Sequence, residues 1–220
     1  DAARALAATR EFVSQHPQRV FGSIESRQST GYLQQYLADL GYETAYSHFD
    51  GRIAGKKRVG RNIFAHRKGK NEEIVTIIAH FDTARTSGQG AIQNGAAVGV
   101  LLEIARIFAL SPLKRSFLVI LSDGGEWGML GAQDVINSYP QRDRIAVALS
   151  LDYVAPGDLA AVTLEETGLG RGFSPPWLRT MARRAAEEQG LPVLEPSGLA
   201  EHFERALQIP KADQGPFLQA

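Results

Sequence analysis

Hydrophobic positions along this chain switch between two rhythms. Residues 74–79 (IVTIIA), 116–121 (SFLVIL) and 145–151 (IAVALSL) are short, nearly continuous apolar runs rich in Ile, Val and Leu. Such runs suit strands buried on both faces of a largely parallel sheet. Between them the apolar spacing becomes helical, over 98–110 and 131–138, so strand and helix alternate as in a doubly wound α/β fold. The expected architecture is a three-layer sandwich, a mixed, mostly parallel central sheet with helices on both faces. Upstream, Leu6, Phe12 and Val13 pattern 2–15 as a helix closed by the His16-Pro17 pair. Tyr32, Leu33, Tyr36, Leu37 and Leu40 pattern 31–40 as a second, entered from the polar cluster 26–30 and stopped by Gly41. Residues 42–49 and 61–66 alternate as strands joined by DGRIAGKKRVG, whose basic run reads as a solvated turn, with a binding patch as the alternative. Downstream, Ser174 is expected to cap a helix with Pro175 and Pro176 in its first turn, running through Trp177, Met181 and Ala185 toward Gly190 and covering the sheet. Residues 199–207 form a further short helical candidate.

Composition narrows the function classes. The chain has 220 residues, 44% of them apolar, which suits a single domain over 1–220. Lys and Arg balance Asp and Glu at 24 each, so no overall field favours nucleic acid or an anionic membrane. Cysteine is absent, which excludes disulfides, thiolate catalysis and Cys-type zinc sites. No apolar run is expected to span a bilayer, and Asp1 opens into an amphipathic helix without a signal-peptide pattern. Membrane association is therefore expected only through an anchor or partner outside these residues.

The chemistry gathers where the core strands end. In open α/β sheets, ligands sit outside the carboxyl ends of the strands, and that rule places His80, Asp82, Asp123, Glu126 and Asp152 on one rim. An imidazole following a strand can bind a metal through one nitrogen while a nearby carboxylate accepts from the other, fixing the ring. His80 and Asp82 have that spacing. Three strand ends thus offer His, Glu and Asp. The alternative is a hydrogen-bonded polar cluster that satisfies buried groups. His16, His48, His66 and His202 read as surface residues. GAAVG and GLGRG lack the spacing of nucleotide-binding loops, and no Ser or Thr sits in a nucleophile elbow.

The ordered set HPQRVFGS, RNIFA, IIAHFDT, GAIQNGAAVGVLLEIAR, SDGGEWGMLGA, SLDYV and ADQGPF resembles the two-zinc aminopeptidases related to glutaminyl cyclases, the transferrin receptor ectodomain and nicastrin. The resemblance runs from about His16 to the last residue. It implies His80 as a zinc ligand oriented by Asp82, Glu126 as the ligand of a Glu-Glu pair, and Asp152 as a later ligand. Three positions depart from the family pattern: Gln93 stands where an Asp bridges both metals, Gly125 where the general base stands, and Gln214 where a final His ligand stands.

The departures have physical weight. Two divalent cations about 3.5–4 Å apart need a shared anion to offset their repulsion, and Gln93 supplies at most a neutral amide oxygen. Loss of a general base costs about 10²- to 10⁴-fold in rate. The expectation is a non-catalytic aminopeptidase-like domain serving as an interaction or scaffold subunit, with no cofactor. Two alternatives stand beside it: an aminopeptidase or cyclase with a weak single zinc at His80 and Asp152, and a cleft beside Trp127 that binds a peptide or small molecule without turnover. Relatives continue past the Pro-Phe segment with another strand and helix. The resemblance thus implies a domain lacking both, a protein partner or larger assembly, and an extracytoplasmic or membrane-associated setting; the compartment itself is not legible.

Overall fold

A computed structural model describes residues 1–154, 161–165, 173–194 and 212–218. Strands β1 (Glu43–Ile53), β2 (Lys56–Arg67), β3 (Asn71–His80), β4 (Arg115–Ser122) and β5 (Ile145–Ser150) form one sheet in the order β1-β2-β4-β3-β5. β2 pairs antiparallel with both β1 and β4, while β3 pairs parallel with β4 and β5. Only β2 therefore runs against the others, and the sheet is mixed and mostly parallel, as expected.

Strand periodicity builds the two cores. Successive side chains of a strand point to opposite faces. Phe117, Val119 and Leu121 of β4 pack with helices α1 (Ala2–Gln15), α2 (Ile24–Asp39) and α3 (Ala96–Ala109). Leu118 and Ile120 pack on the other face with Ala132 and Val135 of α4 (Leu130–Ser138). A third cluster of Phe21, Phe49 and Ile53, with Trp127 and Leu130 against it, fills the corner under the β1–β2 turn.

Several elements differ from their sequence pattern. α2 begins at Ile24, so the polar cluster 26–30 is its first half. Ser23 caps it, with Oγ accepting from Ser26 N at 3.0 Å. Ser29 and Thr30 return their hydroxyls to the carbonyls of Glu25 and Ser26 at 3.0 Å each, which lets polar residues sit inside a helix. The β1–β2 turn shrinks to Ala54 and Gly55, both with positive φ (48° and 76°), the two-residue geometry that matches strand twist. The basic residues expected in a loop thus lie on paired strands. α5 (Pro176–Glu188) takes Pro176 at its first position, which shifts the cap to Pro175 with no side-chain acceptor; Ser174 does not cap. None of its residues is fully buried, and Trp177 and Met181 are 52% and 61% exposed, so it does not cover the sheet as a packed layer. A small parallel pair, β6 (Val162–Thr163) and β7 (Val193–Leu194), was not anticipated. Residues 199–207 and His202 lie outside the described residues.

A further correction concerns the apolar helix. A π-helical turn, Ala91–Gly95, runs directly into α3. The joined helix Ala91–Ala109 has 19 residues and a mean hydropathy of 1.3, enough by length and composition to cross a membrane. It is a core helix of this domain, because Ala97, Val98, Leu101, Leu102 and Ala105 are all fully enclosed between α1 and the sheet.

Close helix contact fixes α1 on α3. A methyl group at Gly99 would lie 2.0 Å from Thr9 Oγ1 and 2.7 Å from the Ala5 carbonyl oxygen. An exposed Gly-to-Ala change inside a helix gains about 1 kcal/mol, but overpacking a fitted contact costs about 1–3 kcal/mol. Gly99→Ala is therefore expected to destabilise the domain, read as a lower urea midpoint with an unchanged slope; a rise would contradict this packing.

A buried carboxyl group ties α2 to the sheet. Asp123 Oδ2 accepts from Ser26 Oγ at 2.9 Å and from Arg61 N at 3.4 Å, while Oδ1 has no partner. Burial, aided by the charge of Asp82, pushes its pKa up to about 8. The folded state then holds a proton that the unfolded state releases near pH 4, about the ordinary value for Asp. This stabilising contribution is complete below that pH and is lost as pH rises through about 8, at up to about 1.4 kcal/mol per pH unit. Chemical denaturation from pH 5 to 8 should show stability falling less steeply in Asp123→Asn than in the parent.

Candidate functional site

His80 ends β3 and Ser122 ends β4, side by side in register. The turn after each strand delivers the polar groups. Asp82 lies fully buried two residues beyond His80, and its Oδ1 sits 3.1 Å from His80 Nδ1 while accepting from Gly125 N at 2.8 Å. Its other oxygen has no partner. From the turn after β5, Asp152 Oδ1 lies 3.6 Å from His80 Nε2, an ion-pair rather than hydrogen-bond distance. Leu151 N and Tyr153 N hold that turn by donating to Ile78 O at 2.8 Å and Gln93 O at 3.3 Å. Burial by itself would lower the His80 pKa, but the facing Asp152 and Asp82 outweigh it and hold the imidazole well above its ordinary value.

Gly125 meets the His80 ring at close range. A Cβ built there would lie 2.3 Å from His80 Cγ and 2.5 Å from His80 Cβ. The imidazole thus packs directly on the backbone where the resemblance expects a glutamate. Glu126, half-buried beside it, has its carboxyl pushed up by burial and no hydrogen bond or ion pair among the described residues. Gln93 Oε1 and Gln214 Nε2 are buried without partners. Asp123 faces Ser26 and Arg61 instead of His80.

Two residues of the site escaped sequence reasoning. Asp213, buried, accepts from Ser122 Oγ at 2.5 Å, and burial raises its carboxyl. Arg19 is fully buried: Nε donates to Phe81 O at 2.6 Å, a terminal nitrogen to Asn94 Oδ1 at 2.7 Å, and the remaining one to Gln89 O at 3.1 Å and to His16 O. Burial lowers its pKa to about 10. Both stood inside segments already singled out, HPQRVFGS and ADQGPF; an Arg between apolar elements and an Asp beside Gln214 were the available signals. Two further histidines were misjudged. His16 packs between Phe12 and Tyr32, at ring distances of 5.9 and 5.2 Å, and burial lowers the pKa values of both His16 and His66. Trp127 packs on Phe21, Phe49 and Ile53.

The arrangement does not fit a two-zinc centre. Among the described residues no three His, Asp or Glu side chains are placed to hold one metal ion. Where the resemblance puts a bridging Asp and a general-base Glu, the chain has the neutral amide of Gln93 and a Gly125 that leaves no room for a side chain while the His80 ring stands as it does. Beside the site, cavities of about 270 and 190 Å³ lie between β5 and α5, sharing Gln214, Ser174 and Leu178 in their walls; Asp152 lines the smaller.

Comparison with known proteins places this geometry. The chain is 26% identical over 166 residues to the alkaline phosphatase isozyme conversion protein of Escherichia coli, covering 64% of this chain and 48% of that protein. It is 29% identical over 138 residues to aminopeptidase YwaD of Bacillus subtilis, covering 60% and 30%. It is 33% identical over 106 residues to BOS complex subunit NCLN of Canis lupus familiaris, covering 41% and 19%. The chain thus spans less than half the length of these relatives. Among solved structures, Porphyromonas gingivalis glutaminyl cyclase matches all of this chain and 80% of its own with a TM-score of 0.82 at 20% identity. The zinc aminopeptidase BSAP of Bacillus subtilis matches 100% and 82% with a TM-score of 0.79 at 15% identity. These two likenesses establish a zinc-exopeptidase-like fold. The model of peptidase family M28 matches residues 62–198, more than half of the sequence, and the chain belongs to peptidase family M28.

Proposed function

We propose that this domain is a non-catalytic member of its family that acts as an interaction or scaffold unit. The observation that carries the reading is Gly125, whose missing side chain leaves room for the His80 ring. A glutamate there and this imidazole position are mutually exclusive. The amides of Gln93 and Gln214 support the same reading, since neither supplies the charge that a bridging or closing ligand contributes. His80, Asp82 and Asp152 then serve each other as an ion-pair cluster, with Glu126 beside it.

A place in a larger assembly is in keeping with the relative named as a subunit of the BOS complex. An extracytoplasmic or membrane-associated setting is in keeping with a Candida glabrata relative named vacuolar membrane protease, 29% identical over 103 residues. A second reading, a cleft that binds a peptide without turnover, draws on the two cavities beside Gln214.

The test is metal content and turnover on one preparation. After chelator treatment and zinc titration, elemental analysis should find well under one zinc per chain. Aminoacyl p-nitroanilides and N-terminal glutaminyl peptides should react at the buffer rate with zinc present. Gly125→Glu should lower the melting temperature and confer no activity. One zinc per chain that is lost in His80→Ala, together with turnover above background, would overturn the proposal in favour of a single-metal hydrolase or cyclase.

A further inference from the structure

The β1–β2 turn lies at the carboxyl end of β1, which runs in the same direction as β3 and β4. It therefore stands on the same edge of the sheet as His80. Between this turn, segment 18–23 and the loop after β3 lies a cavity of about 250 Å³ that is separate from those beside Gln214. Arg58 enters it from β2 and Arg85 from the loop, while Val20, Phe21 and Ile53 form an apolar floor and Gln18 and Ser23 complete the wall. No Asp or Glu lines it.

Arg58 and Arg85 border one cavity that holds no counter-charge in its lining, so an anion entering it is attracted by both. Neither Arg58 nor Arg85 has an ion pair or side-chain hydrogen bond among the described residues. Arg58 is seated by close packing: a Cβ at Gly22, whose φ is +69°, would lie 2.9 Å from Arg58 Cβ. The neighbouring hairpin, RIAGKKRVGR over 52–61, contains five basic residues and no acidic one. Lys57 is paired with Asp50 at 2.8 Å and Arg61 lies over the Tyr46 ring at 5.6 Å. Lys56, on the same strand face as Ile53 and Arg58, remains without an ion pair among the described residues as a basic margin beside the cavity, whereas Arg52 lies on the opposite face.

We propose that this cavity is a docking site for an acidic peptide segment of a partner protein, with one glutamate carboxylate held between Arg58 and Arg85. Guanidinium groups match a carboxylate in planar, paired hydrogen bonds. The apolar floor receives the methylene stem of a glutamate, which a free phosphate lacks, and the basic margin receives the charges of neighbouring residues. The inference rests on the reading of the domain as an interaction unit and adds the chemistry of what it binds.

The probe is a fluorescein-labelled hexaglutamate, with a Gly-Ser peptide of equal length as control, followed by fluorescence anisotropy at low ionic strength, where exposed charges are least screened. The acidic peptide should bind and the neutral one should not. Combining Arg58→Gln with Arg85→Gln should weaken binding about tenfold or more, the loss expected for charge-assisted hydrogen bonds. Lys68→Gln with Lys70→Gln makes the same charge change at the other end of the sheet and should leave affinity unchanged. Both arginines lack partners to lose, so the melting temperature of their double variant should stay at the parent value. Equal weakening in the two double variants would mean diffuse attraction and overturn the site. Absence of hexaglutamate binding would do the same, as would displacement by inorganic phosphate with the same arginine dependence. Metal-dependent turnover would defeat the non-catalytic reading while leaving this arginine dependence intact, so the two failures are distinguishable.

Discussion

A guanidinium ion without water around it is costly unless its N–H groups find acceptors. Arg19 meets that demand with three carbonyls and one side-chain amide, drawn from the end of α1, the end of β3, the loop after β3 and the turn that opens α3. Its charge also lies 4.7 Å above the Phe12 ring, at the heart of the helical layer. The four segments that converge on this ion include the two that deliver Asp82 and Gln93. Satisfying Arg19 therefore sets where the rim begins. Thr83 N, donating back to Arg19 O at 3.1 Å, closes the arrangement.

From that fixed rim the electrostatics follow. Asp82 is shared between His80 and Gly125 N, so one carboxylate orients both the imidazole and the turn after β4. The acids around it cannot all ionise cheaply at such burial. Burial pushes Asp123 and Asp213 toward their neutral forms, against the serine hydroxyls that donate to them and favour the ionised state. His80 moves the other way because it faces the carboxylates of Asp82 and Asp152. Charge in the site is balanced among the protein's own groups.

Much of this was legible along the chain. The runs 74–79 and 116–121 became β3 and β4, which are buried because an unbroken apolar strand needs both faces covered. The run 145–151 reads as equally buried but is not, since β5 lies at the edge of the described sheet with none of its residues fully buried. The rim residues followed from the rule for strand ends. What stayed hidden depends on contacts between distant segments. The polar start of α2 looked like a loop because its serines and Thr30 satisfy themselves within the helix. Arg19 looked like one charged residue among many until its acceptors, as far away in sequence as Asn94, were assembled around it. The contact between Gly125 and the His80 ring leaves no trace in either segment read alone. α5 carried an amphipathic pattern that states which face is apolar but not how deeply it sinks.

The close approach of His80 to the backbone of residue 125 also bears on how this sequence can change over time. Any side chain at 125 collides with the ring, and any displacement of the ring forfeits its contacts with Asp82 and Asp152. The two positions are therefore epistatic. A carboxylate can be introduced at 125 only if His80 has already been rearranged, and that rearrangement is harmful while 125 is still glycine. A change at one of these two positions is therefore read through the other, and the effect of either substitution depends on what its neighbour already is.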